Sequence, residues 1–365
     1  MSYTALRIGL IGAGENTRRR HIPGLRALPG VELVAVCNRR LESTLRVARE
    51  YGIPRTYEHW EDLVEATDLD AVVIGTWPHL HCPITLAALE LGKHVLTEAR
   101  MAMNAAEAHR MLAASKQRPH LVTQVVPSPF GLRGHEVMKE LLRTGYIGEP
   151  REMHVFGMTD QLSDPATPLS WRQDATLSGY NMLTLGILHE TVLRWVAPVV
   201  RVLAQVHAFI PTRIDPASGV RRAVGTPDSV QVLTIHADGM RGVYQFSGVT
   251  PFGPGTGVVL YGREGAICYD MNADRILAGR LQRGRLAHQM HEIAIPPERE
   301  RQWTVEADFV AAIREGTPIE LTDFATGVEY MEFTEAVALS AQMGVAVDLP
   351  LRLGSVREEV TAPTE

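Results

Sequence analysis

The order of the first third of the chain restricts its fold more than any other feature. Five short apolar runs, at 6–11, 31–37, 71–75, 94–97 and 121–125, alternate with stretches of helical periodicity. Runs of that length read as buried strands. Strands separated by helices return in the same direction, so the expected product is a doubly wound parallel sheet. Such sheets bind ligands beyond the carboxyl ends of their strands. The loop after the first run is Gly12-Ala13-Gly14-Glu15-Asn16-Thr17. One glycine suits a tight turn and the other close approach to a pyrophosphate resting on the next helix N-terminus. Thr17 replaces a third glycine that would let helix and strand pack closely, which predicts a helix set slightly outward with phosphate binding kept. A lone Gly-x-Gly says little; one placed directly after the first strand, with four more strands in order, says much more.

The second run ends in Cys37-Asn38-Arg39-Arg40. An NAD site usually has a carboxylate here for the ribose hydroxyls, so its absence and the two arginines point to NADP, with NAD as the alternative. Solvated arginines at a helix start are the other explanation. The third run leads into Gly75-Thr76-Trp77-Pro78-His79-Leu80-His81-Cys82. Two histidines and a thiol on one short loop, without a distant acidic partner, make a poor zinc set, and no metal is expected.

A length of 365 residues suits two domains. Val126-Pro127-Ser128-Pro129-Phe130-Gly131 marks the break. It separates a dinucleotide-binding domain, 1–126, from a substrate-binding and oligomerisation domain, 127–365. In the second half a helix at 136–144 stops at Gly145, and runs at 151–158, 199–209, 230–237, 242–247, 257–261 and 266–269 alternate like antiparallel strands. Helices at 303–314 and 324–343 carry the periodicity of surfaces that pack on a sheet. The expected fold class is α/β: an N-terminal Rossmann parallel sheet plus a C-terminal α/β domain with a large open, mainly antiparallel sheet. Val230 and Val232 lie on one face of their strand, Leu233, Ile235 and Ala237 on the other. Helices of the same chain cover only one face, so a homodimer or homotetramer is expected to bury the second.

The formal charge of -6 gives no electrostatic footprint for nucleic acid or an anionic membrane surface, and leaves a small molecule as the expected partner. No apolar run reaches the ~20 residues of a membrane span. The first residues show no leader pattern. Cys37, Cys82 and Cys268 lie far apart, which fits a reducing, cytoplasmic location.

Lys93-His94-Val95-Leu96-Thr97-Glu98-Ala99-Arg100, with the glycine loop, the Thr76 loop, Trp171-Arg172-Gln173-Asp174, Leu177-Ser178-Gly179 and Leu193-Arg194-Trp195, resembles the glucose-fructose oxidoreductase, inositol dehydrogenase and MocA (Gfo/Idh/MocA) family from about Leu6 to about Leu351. In that family the first of these segments continues Glu-Lys-Pro, and the lysine helps to move the substrate proton. Ala99 holds the lysine position here and Arg100 the proline position. The family's substrate helix carries Asp-x-Gly-x-His-x-x-Asp; around Gly186 those places fall to Thr184, Leu188 and Thr191. None of these titrates near neutrality, as proton transfer normally requires, so the resemblance implies an atypical proton path. His189 lies one residue from the family histidine, a turn of roughly 100° on a helix. It reaches the site through a local bulge or else packs structurally. Glu190 is expected to pair with Arg172 or Arg194. Arg100 cannot act as a base but can clamp an anion. Its bond to Ala99 is expected to be trans, since a non-proline cis bond costs ~3 kcal/mol.

The resemblance thus implies an NAD(P)-dependent oxidoreductase acting on a carbohydrate-like or other small polar substrate. Candidate catalytic residues are His189, Tyr180, Arg172 and Glu98, with His79 or an ordered water as further proton sources. Cofactor contacts are expected from Gly12, Gly14, Glu15, Asn16, Thr17, Asn38, Arg39, Arg40, Thr76, Trp77, His81, Glu98 and Arg100. A catalytically silent NAD(P)-binding sensor, or a redox-neutral lyase or hydrolase using bound nicotinamide, are the alternatives between which fold does not choose.

Overall fold

The computed structural model describes residues 5–281 and 289–352. Residues 1–4, read above for leader signals, and the end of the expected second domain lie outside them. The apolar runs form β1 (Leu6–Ile11), β2 (Val31–Cys37), β4 (Ala71–Ile74), β5 (His94–Thr97) and β6 (Thr123–Val125), joined by a short polar β3 (Arg55–Tyr57) that no apolar run announces. The sheet order is β3-β2-β1-β4-β5-β6, with every pair parallel. The order reverses between β1 and β4, so the carboxyl ends of these strands flank the crevice where such sheets bind ligands. Leu10 and Val36 pack with Ile22 and Leu25 on one face, while Ile11 and Ile74 pack with Ile84 and Leu89 on the other. Burial on both faces is why these strands are continuous apolar runs instead of alternating ones.

The helix after the glycine loop opens with a π-type turn, Thr17–His21, in which the Ile22 N–H reaches the Thr17 carbonyl. Thr17 is buried, and its Oγ1 donates to Gly12 O at 3.1 Å. A Cβ on Gly75 would sit 2.3 Å from that Oγ1. The widened turn and the missing side chain at Gly75 therefore accommodate the threonine.

The chain forms two units without dividing once at 126/127. The first runs to Pro127 and also takes in Thr176–Gly179 and Trp303–Met331; the second holds Ser128–Ala175, Tyr180–Gln302 and the chain from Glu332. The return has an apolar cause: Val305, Phe309 and Val310 of the helix Val305–Glu315 belong to the core of the parallel sheet. Periodicity shows that such a helix packs on a sheet but not on which one.

The second unit is built on β7 (Pro150–Met158), β8 (Val199–His207), β11 (Ser229–His236), β12 (Arg241–Ser247), β13 (Gly255–Gly262), β14 (Gly265–Asp270), β15 (Arg275–Arg280), β16 (His291–Ile293) and β17 (Val347–Asp348), beside a separate pair, β9 (Thr212–Ile214) and β10 (Arg221–Ala223). The large sheet runs β16-β15-β14-β13-β7-β12-β11-β8-β17. Among its described pairs, β7 and β12 alone are parallel. Its inner face buries Val230, Val232, Tyr244 and Phe246 against Leu185, Leu188, Phe333 and Val337. The outer face is apolar in one row, where Leu203, Leu233 and Val243 stand side by side. Gln205, Gln231 and Gln245 flank that row on one side, and Arg201, Ile235 and Arg241 on the other. The expectation of a broadly apolar outer face is thereby narrowed to a stripe. No helix among the described residues is long and apolar enough to cross a membrane.

Candidate functional site

A glycine cradle shapes the carboxyl end of β1. Gly12 has φ +86, and a Cβ there would lie 2.6 Å from Gly75 C and Thr76 N, so only glycine fits. Ala13 N–H donates to Asn38 Oδ1 at 2.6 Å, and Asn38 Nδ2 donates to Ser43 Oγ at 3.1 Å. The loop after β1 is thus tied to the end of β2. A cavity of about 630 Å³ opens here, bounded by the glycine loop, Asn38, Arg39, Arg40, Thr76 and Trp77, and also by Glu42, Ser43, Arg46 and His79. That volume lies in the ordinary range of ligand pockets. Arg39 stacks over the Trp77 ring at 4.7 Å. Thr76 Oγ1 and His79 Nδ1 are buried without a hydrogen-bond partner. Buried polar atoms seldom stay unpaired, so this wall suits a ligand with donors and acceptors of its own. Burial and the nearby Arg39 hold His79 below the usual histidine range, which leaves a neutral imidazole.

Behind the cradle, Glu98 follows β5 and its N–H donates to Ile74 O at 2.9 Å. Glu98 Oε1 accepts from Asn16 Nδ2 and lies 3.0 Å from His21 Nε2. His21 Nδ1 is 2.5 Å from Glu306 Oε1, and Trp303 Nε1 donates to Glu306 Oε2 at 3.0 Å. Burial opposes a charge on His21, but the hydrogen bonds and charges of Glu306 and Glu98 outweigh it and raise its pKa to about 9. Burial would raise the Glu98 carboxyl; His21 and Asn16 nonetheless hold it below the usual carboxylate range.

In the second unit the helix Leu185–Leu193 follows Thr184. Leu188 is fully buried in the core cluster. Thr191 Oγ1 donates to Ser128 Oγ at 2.8 Å. His189 stacks on Phe333 at 3.6 Å between ring centroids, with Nδ1 3.0 Å from Tyr244 Oη. Glu190 and Arg194 form a buried ion pair at 2.6 Å, and Ser128 N–H donates to Glu190 Oε2. Arg172 is exposed and lies 4.4 Å over the Trp171 ring, and Tyr180 is also exposed.

Two family models match this chain: the Gfo/Idh/MocA oxidoreductase family with NAD-binding Rossmann fold over residues 6–125, and the Gfo/Idh/MocA C-terminal domain over residues 135–268. The chain belongs to the Gfo/Idh/MocA family. It is 30% identical over 246 residues to trans-1,2-dihydrobenzene-1,2-diol dehydrogenase of Mus musculus, covering 67% of this chain and 68% of that one. It is 29% identical over 203 residues to levoglucosan dehydrogenase of Pseudarthrobacter phenanthrenivorans, covering 55% and 51%. These matches thus span about half to two thirds of each relative's length. A solved levoglucosan dehydrogenase complex with NADH and levoglucosan shares the fold at TM-score 0.82 and 24% identity, over 95% of this chain and all of that one.

Set against the Gfo/Idh/MocA pattern, the residues expected to contact a cofactor do not all fall together. Gly12, Gly14, Asn38, Arg39, Arg40, Thr76 and Trp77 gather on one cavity. Glu15 is exposed beside the loop, whereas Asn16 turns to Glu98 and Thr17 to Gly12. His81 is fully buried and faces Arg100 O and Thr76 O at 2.8 and 3.0 Å, so it joins two loops and His79 takes the cavity wall. Burial keeps it below the usual histidine range, and a neutral ring donates to only one of these carbonyls. The Ala99–Arg100 bond is cis, not trans. A cost weighed for the isolated bond leaves out its surroundings; here His81 at Arg100 O and Tyr330 Oη at Met101 N–H both hold the peptide that follows it. His189, expected as a proton donor, lies among core side chains, where burial, with His236 nearby, holds it well below its usual pKa. Glu190 pairs with Arg194, one of the two partners expected for it. Glu42, Ser43 and Arg46 were missed on the helix Leu41–Glu50, and Glu42 supplies a carboxylate that the end of β2 lacks. His21 and Glu306 were missed as well, since nothing local in the sequence joins residues so far apart. Among the described residues no cluster of three or more His, Cys, Asp or Glu is placed to hold a metal ion.

Proposed function

We propose that this chain is an NADP-dependent oxidoreductase acting on a carbohydrate-like or other small polar substrate. The observation that carries this reading is the glycine cradle opening into a cavity with two unpartnered polar atoms, Thr76 Oγ1 and His79 Nδ1. Gly12 and Gly14 hold the pyrophosphate by backbone contact. Arg40, Arg46 and Ser43 hold a 2'-phosphate. Glu42 on the same wall, and the NADH of the levoglucosan dehydrogenase complex, favour NAD as the second reading. The nicotinamide supplies the hydride exchange, and the protein positions it.

Both relatives named above are dehydrogenases of hydroxylated ring compounds, which supports a cyclic polyol or its ketone as substrate. Ala99 and Leu188 stand where the family has lysine and histidine. The substrate proton therefore passes to Tyr180 or an ordered water, with Arg172 clamping a polar group of the substrate. The test is a panel of polyols and ketoses incubated with NADP(H) or NAD(H), followed by nicotinamide absorbance and product mass. Net oxidation or reduction of nicotinamide with matching product supports the proposal. Product without net nicotinamide change overturns it in favour of a redox-neutral lyase or hydrolase; tight cofactor binding with no product favours a silent sensor.

A further inference from the structure

The π-type turn gives an unusual spacing to the residues behind the glycine loop. Its i→i+5 bonding carries Asn16 and His21, five residues apart, to the same oxygen of Glu98. Such turns are rare and concentrate at functional sites. On its other side His21 meets Glu306, which Trp303 holds by an indole N–H while Arg20 lies 4.2 Å over the Trp303 ring. Both ring nitrogens of His21 face carboxylates, which requires an imidazolium donating in two directions. Two carboxylates around one buried cation leave a single excess negative charge. Of the three groups, Glu98 alone is partly exposed, with 15% of its side chain accessible against 4% for Glu306 and none for His21.

Glu98 emerges at the carboxyl ends of β4 and β5. In a sheet of order 3-2-1-4-5-6 the two halves bind one mononucleotide each. The adenosine half belongs to β2, where Asn38, Arg39 and Arg40 sit, so the nicotinamide half lies over β4 and β5. That ring is cationic when oxidised and neutral when reduced. We propose that the Glu98–His21–Glu306 chain is a fixed negative charge beneath the nicotinamide half, which makes this site bind the oxidised cofactor in preference to the reduced one. The inference rests on the cofactor reading above. It assigns Glu306, which is enclosed behind His21, an effect on the cofactor's redox state through charge alone.

The test is to titrate NADP+ and NADPH, then NAD+ and NADH, by tryptophan fluorescence or calorimetry into the wild-type protein, Glu98→Gln and Glu306→Gln. Each near-isosteric change removes the excess charge, and Arg100, common to all three proteins, drops out of the comparison. The ratio of oxidised to reduced affinity is expected to fall about three- to tenfold in both variants, as loss of one nearby charge in a partly desolvated site implies. If Glu306→Gln does not fold, the same fall in Glu98→Gln, at the exposed end, carries the test. An unchanged ratio in a variant that still binds, or equal weakening of both forms, overturns this inference and leaves the cofactor reading standing. Wild-type protein that binds neither form of either dinucleotide overturns both.

Discussion

Asn38 Oδ1 accepts the backbone N–H of Ala13 at 2.6 Å, so the side chain at the end of β2 fastens the glycine loop after β1. Its amide nitrogen is engaged with Ser43. Both ends of the group are therefore occupied with holding the loop. Asn38→Ala is expected to weaken NAD+ and NADP+ alike, by about fivefold, since one net hydrogen bond is worth roughly 1 kcal/mol. The double change Arg40→Ala/Arg46→Ala should instead weaken NADP+ about tenfold or more with NAD+ little altered, because charged hydrogen bonds contribute about 1.5–3 kcal/mol each. Fluorescence titration separates the two patterns. A double variant that loses both cofactors equally would refute the assignment of a 2'-phosphate site.

The parallel sheet was legible because its strands are buried on both faces, and uninterrupted runs such as Leu33 to Cys37 leave few other folds open. β3 escaped notice because Arg55, Thr56 and Tyr57 have no apolar run to signal a strand. The cofactor loop was legible for a local reason, since Gly12 and Gly14 adjoin the strand they serve. The chain through His21 was not, because 285 positions separate His21 from Glu306 and only the return of Val305–Glu315 to the first unit joins them. His189 is the opposite case. A histidine one place from a family position invites a catalytic role, and only its stacking on Phe333 shows that it completes a core.

The His21 ion pairs predict a pH dependence of stability with a definite sign. Its pKa rises from 6.5 to about 9 on folding. A base whose folded pKa is raised contributes stability that is fully present below its unfolded pKa and is lost as pH rises through the folded one. Chemical unfolding of the wild-type protein should therefore lose up to about 3 kcal/mol between pH 6.5 and pH 9.5, from the linkage of a shift this large. His21→Gln should show a flatter profile over the same window. Profiles that run parallel would mean that His21 is not charged in the folded protein.

His189 is expected to act on stability and not on turnover. His189→Phe keeps a ring against Phe333 but leaves Tyr244 Oη without its partner at 3.0 Å. An unsatisfied buried hydroxyl costs about 1–3 kcal/mol, which melting should show. Turnover on any accepted substrate should stay within a few-fold of wild type. A hundredfold loss of kcat in a variant of unchanged stability would restore His189 as a proton donor.

Restoring the family pair is expected to succeed at one position and fail at the other. Ala99 is partly exposed, so Ala99→Lys should fold and bind cofactor. Leu188 is fully buried in the core of the second unit, and Leu188→His should cost on the order of 2–5 kcal/mol by lost packing and an unpaired imidazole. Melting temperatures of the single and double variants decide this. A double variant as stable as wild type and newly active on polyols would mean that position 188 opens to the substrate in solution.

The outer row of the large sheet predicts self-association. Leu203, Leu233 and Val243 lie in register on three adjacent strands, and Leu233, at the centre, is 55% exposed. A row repeated across strands is a continuous stripe, unlike the scattered single apolar residues that soluble surfaces tolerate. The glutamines on one side of it bond across an interface as readily as to water. On the other side Arg201 is ion-paired with Asp348 and Arg241 stands opposite Glu152, so that row carries both signs and a two-fold pairing is free to lay the apolar rows across each other. Light scattering of the wild-type protein at micromolar concentration should give at least twice the chain mass of 40.2 kDa. Leu233→Glu places a carboxylate in the middle of the stripe and should return the mass to that of one chain without lowering the melting temperature of the monomer. A wild-type mass of one chain would leave the stripe without a partner, and a Leu233→Glu protein that still assembles would place the interface on another surface.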